Sequence, residues 1–306
     1  MRVGSDLRGQ AVSTGTPPDC CANRLHGEIL LTMTDDPYAD NRPGQDLIQA
    51  GADIAGSAAG AALGFVFGGP AGAIAGAVAG PVATQALRWV ADEIGQRVLG
   101  PRERMRAGAA VAFAAERLEA LLAEGATIRT DGFFNDTPHG RNAAREIAEG
   151  VVLVARQSFE ERKVRHIGYL FARVAIDAGL DNALAAYALR RAESLTWRQY
   201  VILAAVGRAD RLPLPPGELA DREDAWLGWG ARREIRELNE SGYLGAPRKK
   251  TPTGLPIPNT TVAEQRLTAQ GQLLYALLSL DDVPDADVMG FIAALTLAIQ
   301  VPPDAT

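Results

Sequence analysis

Seven glycines recur at every fourth position of a stretch that carries no charged residue between Asp53 and Arg88. Glycine costs about 1 kcal/mol per helix position relative to alanine, so an exposed soluble helix gains nothing from this spacing. Glycines one turn apart do leave a flat groove in which a second helix backbone can lie closely, as in membrane helix pairs. The pattern therefore predicts close helix–helix contact. The predicted contact residues are Gly56, Gly60, Gly64, Gly68, Gly72, Gly76 and Gly80.

A single straight helix could not use all seven glycines on one face. Each four-residue step drifts by about 40° around a helix, so seven glycines would wind through about 240°. Gly69-Pro70 interrupts the series, because proline removes a backbone donor and disfavours helix at the residue before it. The sequence therefore predicts a glycine-zipper helical hairpin within residues 47–99, built from helices at 47–68 and 71–97.

The length of these two helices does not decide whether they lie in a membrane or in a soluble protein. Their uncharged portions span only ~22 and ~26 Å, against ~30 Å for the hydrocarbon core of a bilayer. Residues 50–90 resemble the bacterial glycine-zipper segments that contain two short membrane helices. The resemblance implies membrane association or a homo-oligomer. The arginines that follow, Arg97, Arg102, Arg104 and Arg106, predict that the C-terminal flank stays on the cytoplasmic side. The alternative is a soluble hairpin that packs against the helices that follow.

The rest of the chain predicts a mainly α protein. Residues 1–46 are rich in Gly, Pro, Asp and Ser/Thr, which predicts a disordered arm, and Met33 offers a second translation start besides Met1. Residues 102–192 predict an α-helical module, because apolar residues recur there at helical spacing. Its four predicted helices lie at 102–125, 142–158, 160–177 and 181–192.

The chain after residue 195 changes character. A helix at 197–206 precedes a proline-rich turn, a short helix near 218–226, and another helix at 231–241. The segment Glu237 to Leu244 (ELNESGYL), followed by Leu267 to Leu274 (LTAQGQLL), resembles the winged-helix domains of bacterial regulators. The resemblance implies a winged-helix-like α+β domain at 195–285, with a β-wing between these segments and a closing helix at 272–280. A C-terminal helix and tail at 286–306 complete the predicted organisation.

The winged-helix resemblance places two groups of cations where a partner would bind. These possible nucleic-acid or partner contacts are Arg232, Arg233, Arg236, Arg248, Lys249 and Lys250. Glu234, Glu237 and Glu240 alternate with the arginines of the helix, and the whole chain has a net charge of −6, which opposes DNA binding. We therefore favour a protein partner or dimerisation over DNA. For Trp226 and Trp229, close to this helix, we expect core packing.

The sequence contains no catalytic or metal-binding motif. Its two cysteines are adjacent, at Cys20 and Cys21, and its three histidines stand alone. No spacing typical of a nucleophile, a paired carboxylate site or a zinc site occurs. We expect no enzyme activity and no cofactor. A secretory signal with an apolar core behind a basic start is also not seen, which predicts a protein that is not secreted.

Two hypotheses follow from the sequence. The first is a non-enzymatic bacterial protein, cytoplasmic in bulk and associated with the inner membrane or homo-oligomeric through its glycine hairpin. Its C-terminal domain would be a sensor or partner-binding module, and such an arrangement would suit a toxin-like or defence effector. The alternative is a soluble winged-helix DNA-binding regulator that uses the hairpin to dimerise.

Overall fold

The computed structural model describes residues 100–135, 142–217, 226–247, 249–250, 252–254, 256–257 and 261–300. The predicted arm at 1–46, the predicted hairpin with its seven glycines, the residues 218–225 and Arg248 lie outside them. The described part is mainly α-helical, as the sequence predicts. Its α-helices are α1 (Pro101–Ala123), α2 (Ala143–Gln157), α3 (Arg162–Ile176), α4 (Asn182–Ser194), α5 (Trp197–Gly207), α6 (Trp226–Glu240), α7 (Ala269–Leu277) and α8 (Asp285–Gln300).

Side-chain caps set the starts of several helices. The side chains of Asn142, Asp181 and Thr196 each accept a hydrogen bond from the backbone N–H three residues on, at the starts of α2, α4 and α5. At α5 the side chain of Gln199 also accepts from the backbone N–H of Thr196 at 2.9 Å, which completes a capping box. These caps satisfy N–H groups that have no partner within the helix.

α1 packs closely against α3. Gly168 of α3 faces a run of alanines on α1, and a Cβ added there would lie 2.4 Å from the carbonyl oxygen of Ala110. Ala107, Ala110 and Ala114 are all buried. Small side chains on both helices therefore let the two backbones approach each other.

Short antiparallel strands follow α6. They are β1 (Leu244–Gly245), β2 (Lys249–Lys250), β3 (Pro256–Ile257) and β4 (Arg266–Leu267). β1 pairs with β4 so that Leu244 lies opposite Leu267, and β2 pairs with β3. The side chain of Thr268 then caps α7, so this helix begins at Ala269 and ends at Leu277, three residues earlier at each end than the predicted 272–280.

The buried apolar side chains form one cluster that runs from Ala107 in α1 to Leu295 in α8. It contains residues of both the predicted helical module and the predicted C-terminal domain, and the boundary between these two stays a prediction. Arg208 after α5 is fully buried. Its guanidinium donates to Asp285 Oδ1 at 2.7 Å and to the Val283 carbonyl at 2.7 Å, which ties α5 to the start of α8.

Candidate partner-binding surface

The predicted arginines of α6 lie together around an open groove. Arg232, Arg233 and Arg236 follow Trp229 by three, four and seven residues, and this spacing puts them on one side of a helix. With Glu237 and Glu240 they line a groove of about 400 Å³. Arg233 and Arg236 are exposed, whereas the other side of α6 carries buried apolar side chains. We call this groove the α6 groove.

The position of Trp229 differs from the one predicted from the sequence. We expected it to pack in the core, but its side chain is 38% exposed and lines the α6 groove. The Arg233 guanidinium lies 5.6 Å from the centre of its ring, within the distance at which a cation and an aromatic face attract each other. The spacing of Trp229 with Arg233 and Arg236 is the signal that would have placed it on this surface.

Glu234 does not face the groove. Its carboxylate accepts a hydrogen bond from the Arg198 guanidinium and one of 3.2 Å from the Thr196 hydroxyl, and the residue is only 9% exposed. Both partners belong to the start of α5. Glu234 therefore holds α6 against α5, although the sequence suggested that it would oppose DNA binding together with Glu237 and Glu240.

Glu237 links the groove to α5. One of its oxygens accepts from Arg233 Nε at 2.9 Å, and the other accepts from Gln199 Nε2 at 3.2 Å. Arg233 and Glu237 are both well exposed, so this pair adds about 0–1 kcal/mol to stability. Its effect is positional, because Arg233 is held between Glu237 and the ring of Trp229. Arg236 forms no ion pair with the described residues.

The predicted wing cations are only partly within the described residues. Lys249 and Lys250 form β2, opposite Ile257 and Pro256 of β3. Arg248 lies outside the described residues. The structure therefore brings the three arginines of α6 together and places the two lysines on a separate two-stranded sheet.

A second group of polar residues is buried beside α3. The ring of His166 lies 5.7–6.0 Å from those of Tyr169, Trp197 and Tyr200, and its Nδ1 donates to the Leu278 carbonyl at 2.8 Å. Burial lowers the pKa of His166 to about 4, although the hydrogen bond to Leu278 opposes this. A neutral imidazole closed in by aromatic rings packs the core and connects α3 to the end of α7.

Neither a metal-binding cluster nor a membrane-spanning helix occurs in the described part. No group of His, Cys, Asp or Glu side chains among the described residues could hold a metal ion. In the same part of the chain, no helix combines the length and the apolar character that crossing a bilayer requires. Comparison with protein-family models, with curated proteins and with solved structures finds no match to this chain.

Proposed function

We propose that this chain is a non-enzymatic protein that binds a protein partner through the α6 groove and associates with a membrane, or with itself, through its glycine-rich segment. The observation that carries the proposal is the exposed Trp229 with Arg233 held against its ring and Arg236 beside it. Tryptophan and arginine are among the side chains enriched in the residues that dominate binding energy at protein interfaces. A toxin-like or defence effector remains the role that this arrangement would suit.

The order of elements supports a winged-helix-like recognition module. α6 is followed by β1, by the β2–β3 pair, by β4 and by α7, and β1 pairs with β4. In a winged helix the corresponding helix is the recognition element, which here is α6 with its groove. Mixed charge in that groove, with Glu240 beside the arginines, suits a protein surface better than a polyphosphate backbone.

A DNA-binding regulator is the second candidate, and one observation favours it. Glu234 is turned toward Arg198 and Thr196, so fewer carboxylates face the groove than the sequence indicates. DNA affinity would then depend on the three arginines of α6, and it would fall steeply with salt.

A site-specific photocrosslinker tests the partner proposal. Benzoylphenylalanine in place of Arg236 should give an adduct of defined mass in cells, and Trp229→Ala should abolish it. The same amino acid in place of the exposed Arg190 on α4 is the control and should give no such adduct. Equal adducts at both positions, or an adduct that survives Trp229→Ala, would overturn the proposal.

Two further assays test the remaining parts. A mobility-shift assay at low salt separates the second candidate from the first. A shift that weakens with salt and disappears in Arg233→Glu/Arg236→Glu would establish the regulator instead. Membrane pelleting that resists carbonate is expected for wild type and should be lost in Gly60→Leu/Gly76→Leu. Its absence in wild type would remove the membrane part of the proposal.

A further inference from the structure

We propose that the surface around the start of α1 docks onto an anionic lipid bilayer, with the side chain of Phe159 in the headgroup region. We call it the α1-start surface; its residues are Arg102, Met105, Arg106, Arg156 and Phe159. The proposal rests on the membrane association proposed above, but it uses residues outside the glycine-rich segment. The two can therefore fail separately.

Phe159 is the most exposed large apolar side chain in the described part, at 84%. It lies in the turn between α2 and α3, and the residues around it are fixed. The hydroxyl of Ser158 donates to the Glu160 carbonyl at 3.1 Å, and Glu160 Oε1 accepts from the backbone N–H of Trp197 at 3.0 Å. Because the turn is anchored, the side chain of Phe159 stays exposed to water, and its transfer into an apolar phase would be favourable.

Arginines of α1 are bound next to this turn. Glu161 accepts from Arg102 Nε at 2.6 Å and from Arg106 Nε at 3.2 Å, while Arg106 Nη1 donates to the Arg156 carbonyl at 3.4 Å. Burial alone would raise the pKa of Glu161, but the hydrogen bonds from the two arginines outweigh it and lower that pKa. The carboxylate therefore stays ionised and holds α1 to the turn.

Met105 adds a second apolar side chain to the same side of α1. It follows Arg102 by three residues, so the two are neighbours on the helix surface, and it is 37% exposed. The Arg102 side chain is itself 64% exposed. Exposed apolar side chains framed by arginines are typical of surfaces that lie in the interface of an anionic membrane.

The carboxylates near this surface are already used by the protein. Glu103 accepts from the backbone N–H of Gly100 at 3.0 Å, Glu160 accepts from Trp197, and Glu161 accepts from two arginines. Residues 100–106 and 156–161 contain four arginines against these three glutamates, so this surface carries a small net positive charge. The negative surface potential of an anionic leaflet attracts each Lys or Arg close to it and so favours binding.

The location of the surface also favours a bilayer. α1 begins at Pro101, just after the predicted hairpin of residues 47–99, so the α1-start surface is close in sequence to the glycine-rich segment. If the glycine-rich segment associates with a membrane, the start of α1 is brought to the same membrane. A docking surface there would bind with a high effective concentration.

Vesicle co-flotation of the purified full-length protein tests the proposal. We expect binding to phosphatidylcholine vesicles that contain phosphatidylglycerol, weaker binding without it, and a decrease at high salt. Phe159→Ser should lower the partition constant by about tenfold, because one buried phenylalanine is lost. Phe159→Trp should retain binding, with a blue shift of tryptophan emission on addition of vesicles.

Leu297→Ser is the matched control, because Leu297 is also strongly exposed, at 67%, but lies on α8. It should bind vesicles as wild type does, and thermal melting of both serine variants should confirm that they fold. Equal loss of binding in both variants, or none in Phe159→Ser, would overturn the proposal. Binding to free polyphosphate or DNA that depends on Arg102 but not on Phe159 would also overturn it, in favour of a polyanion site.

The Gly60→Leu/Gly76→Leu variant separates this inference from the proposed function. It should lose carbonate-resistant pelleting but keep salt-sensitive binding to the anionic vesicles through Phe159. Loss of both would show that the α1-start surface has no affinity of its own and would overturn the inference. If the wild-type protein binds vesicles through Phe159 but its membrane pelleting does not resist carbonate, only the proposed insertion of the glycine segment is refuted.

Discussion

Replacement of Gly168 by alanine should destabilise the protein strongly, although alanine is the better helix former. A Cβ at this position would lie 2.4 Å from the Ala110 carbonyl oxygen, and 3.1 Å from both Ala114 N and Phe113 Cβ. Carbon–oxygen contacts in proteins are ordinarily about 3.3–3.6 Å, so α1 and α3 would have to separate by about 1 Å. All three contacts are to backbone or Cβ atoms, which cannot turn away.

The magnitude follows from two opposing effects. Alanine gains about 1 kcal/mol over glycine in a helix interior, whereas forcing an extra carbon into a packed core costs typically about 1–3 kcal/mol and sometimes more. Because helix backbones must move, we expect the upper part of that range and a net loss of about 2 kcal/mol. For a folded unit of 150–250 residues this lowers Tm by about 4–8 °C.

Gly150 provides the matched control within the same fold. It lies inside α2, and a Cβ there would meet only the Cδ2 atom of Leu189, at 2.7 Å. That methyl group is the end of a flexible side chain and can rotate away. Gly150→Ala should therefore leave the free energy of unfolding unchanged or raise it by up to about 1 kcal/mol. Urea unfolding followed by circular dichroism measures both variants. If Gly168→Ala is as stable as wild type, or if the two variants lose stability equally, the close approach of α1 and α3 is refuted.

Three more outcomes can be measured in the same way. The folded-state pKa of His166 is about 4 against 6.5 for the free group, so its contribution to stability is fully present above pH 6.5. Up to about 3 kcal/mol of it is lost as pH falls toward 4, and His166→Gln should flatten that decrease in urea titrations across the range. Glu234→Gln should cost about 1 kcal/mol in thermal melts, because it removes the charge that faces Arg198, whereas the exposed Glu240→Gln should cost nothing measurable. Gly271→Ala should cost about 2 kcal/mol in chemical unfolding, since its Cβ would lie 2.1 Å from a backbone carbonyl oxygen just before β1; stability equal to wild type would contradict that contact.

The helices could be predicted because their apolar stripes and caps are local. Ile167, Leu170 and Val174 recur at helical spacing in the sequence, and all are fully buried in α3. The predicted start of α7 lies three residues too late, although the segment LTAQGQLL that indicates this helix contains both Thr268 and Gly271. The hydrogen bond from Gly271 N–H to Thr268 is a local cap, so this error was avoidable.

The α6 groove was only half predictable. Its arginines could be found from sequence because they repeat at helical spacing. The direction of Glu234 could not, because it depends on Arg198 and Thr196, which precede it by 36 and 38 residues and reach it only through the packing of α5 on α6. The exposure of Phe159 could not be predicted from the sequence either, because a phenylalanine next to the apolar stripe of a helix is expected to be buried.

Gly168 shows one use of close backbone contact between helices, and the glycine series of residues 56–80 predicts another. One glycine opposite buried alanines is sufficient for α1 and α3, whose backbones approach each other near Ala110 and whose other contacts involve side chains. A glycine on every turn lets two backbones stay this close to each other along their whole length, which requires the helices to run nearly parallel or antiparallel. The series therefore predicts a hairpin with aligned axes more strongly than it predicts a bilayer. A leucine at Gly60 or Gly76 should then impair association along the whole hairpin, whichever solvent surrounds it.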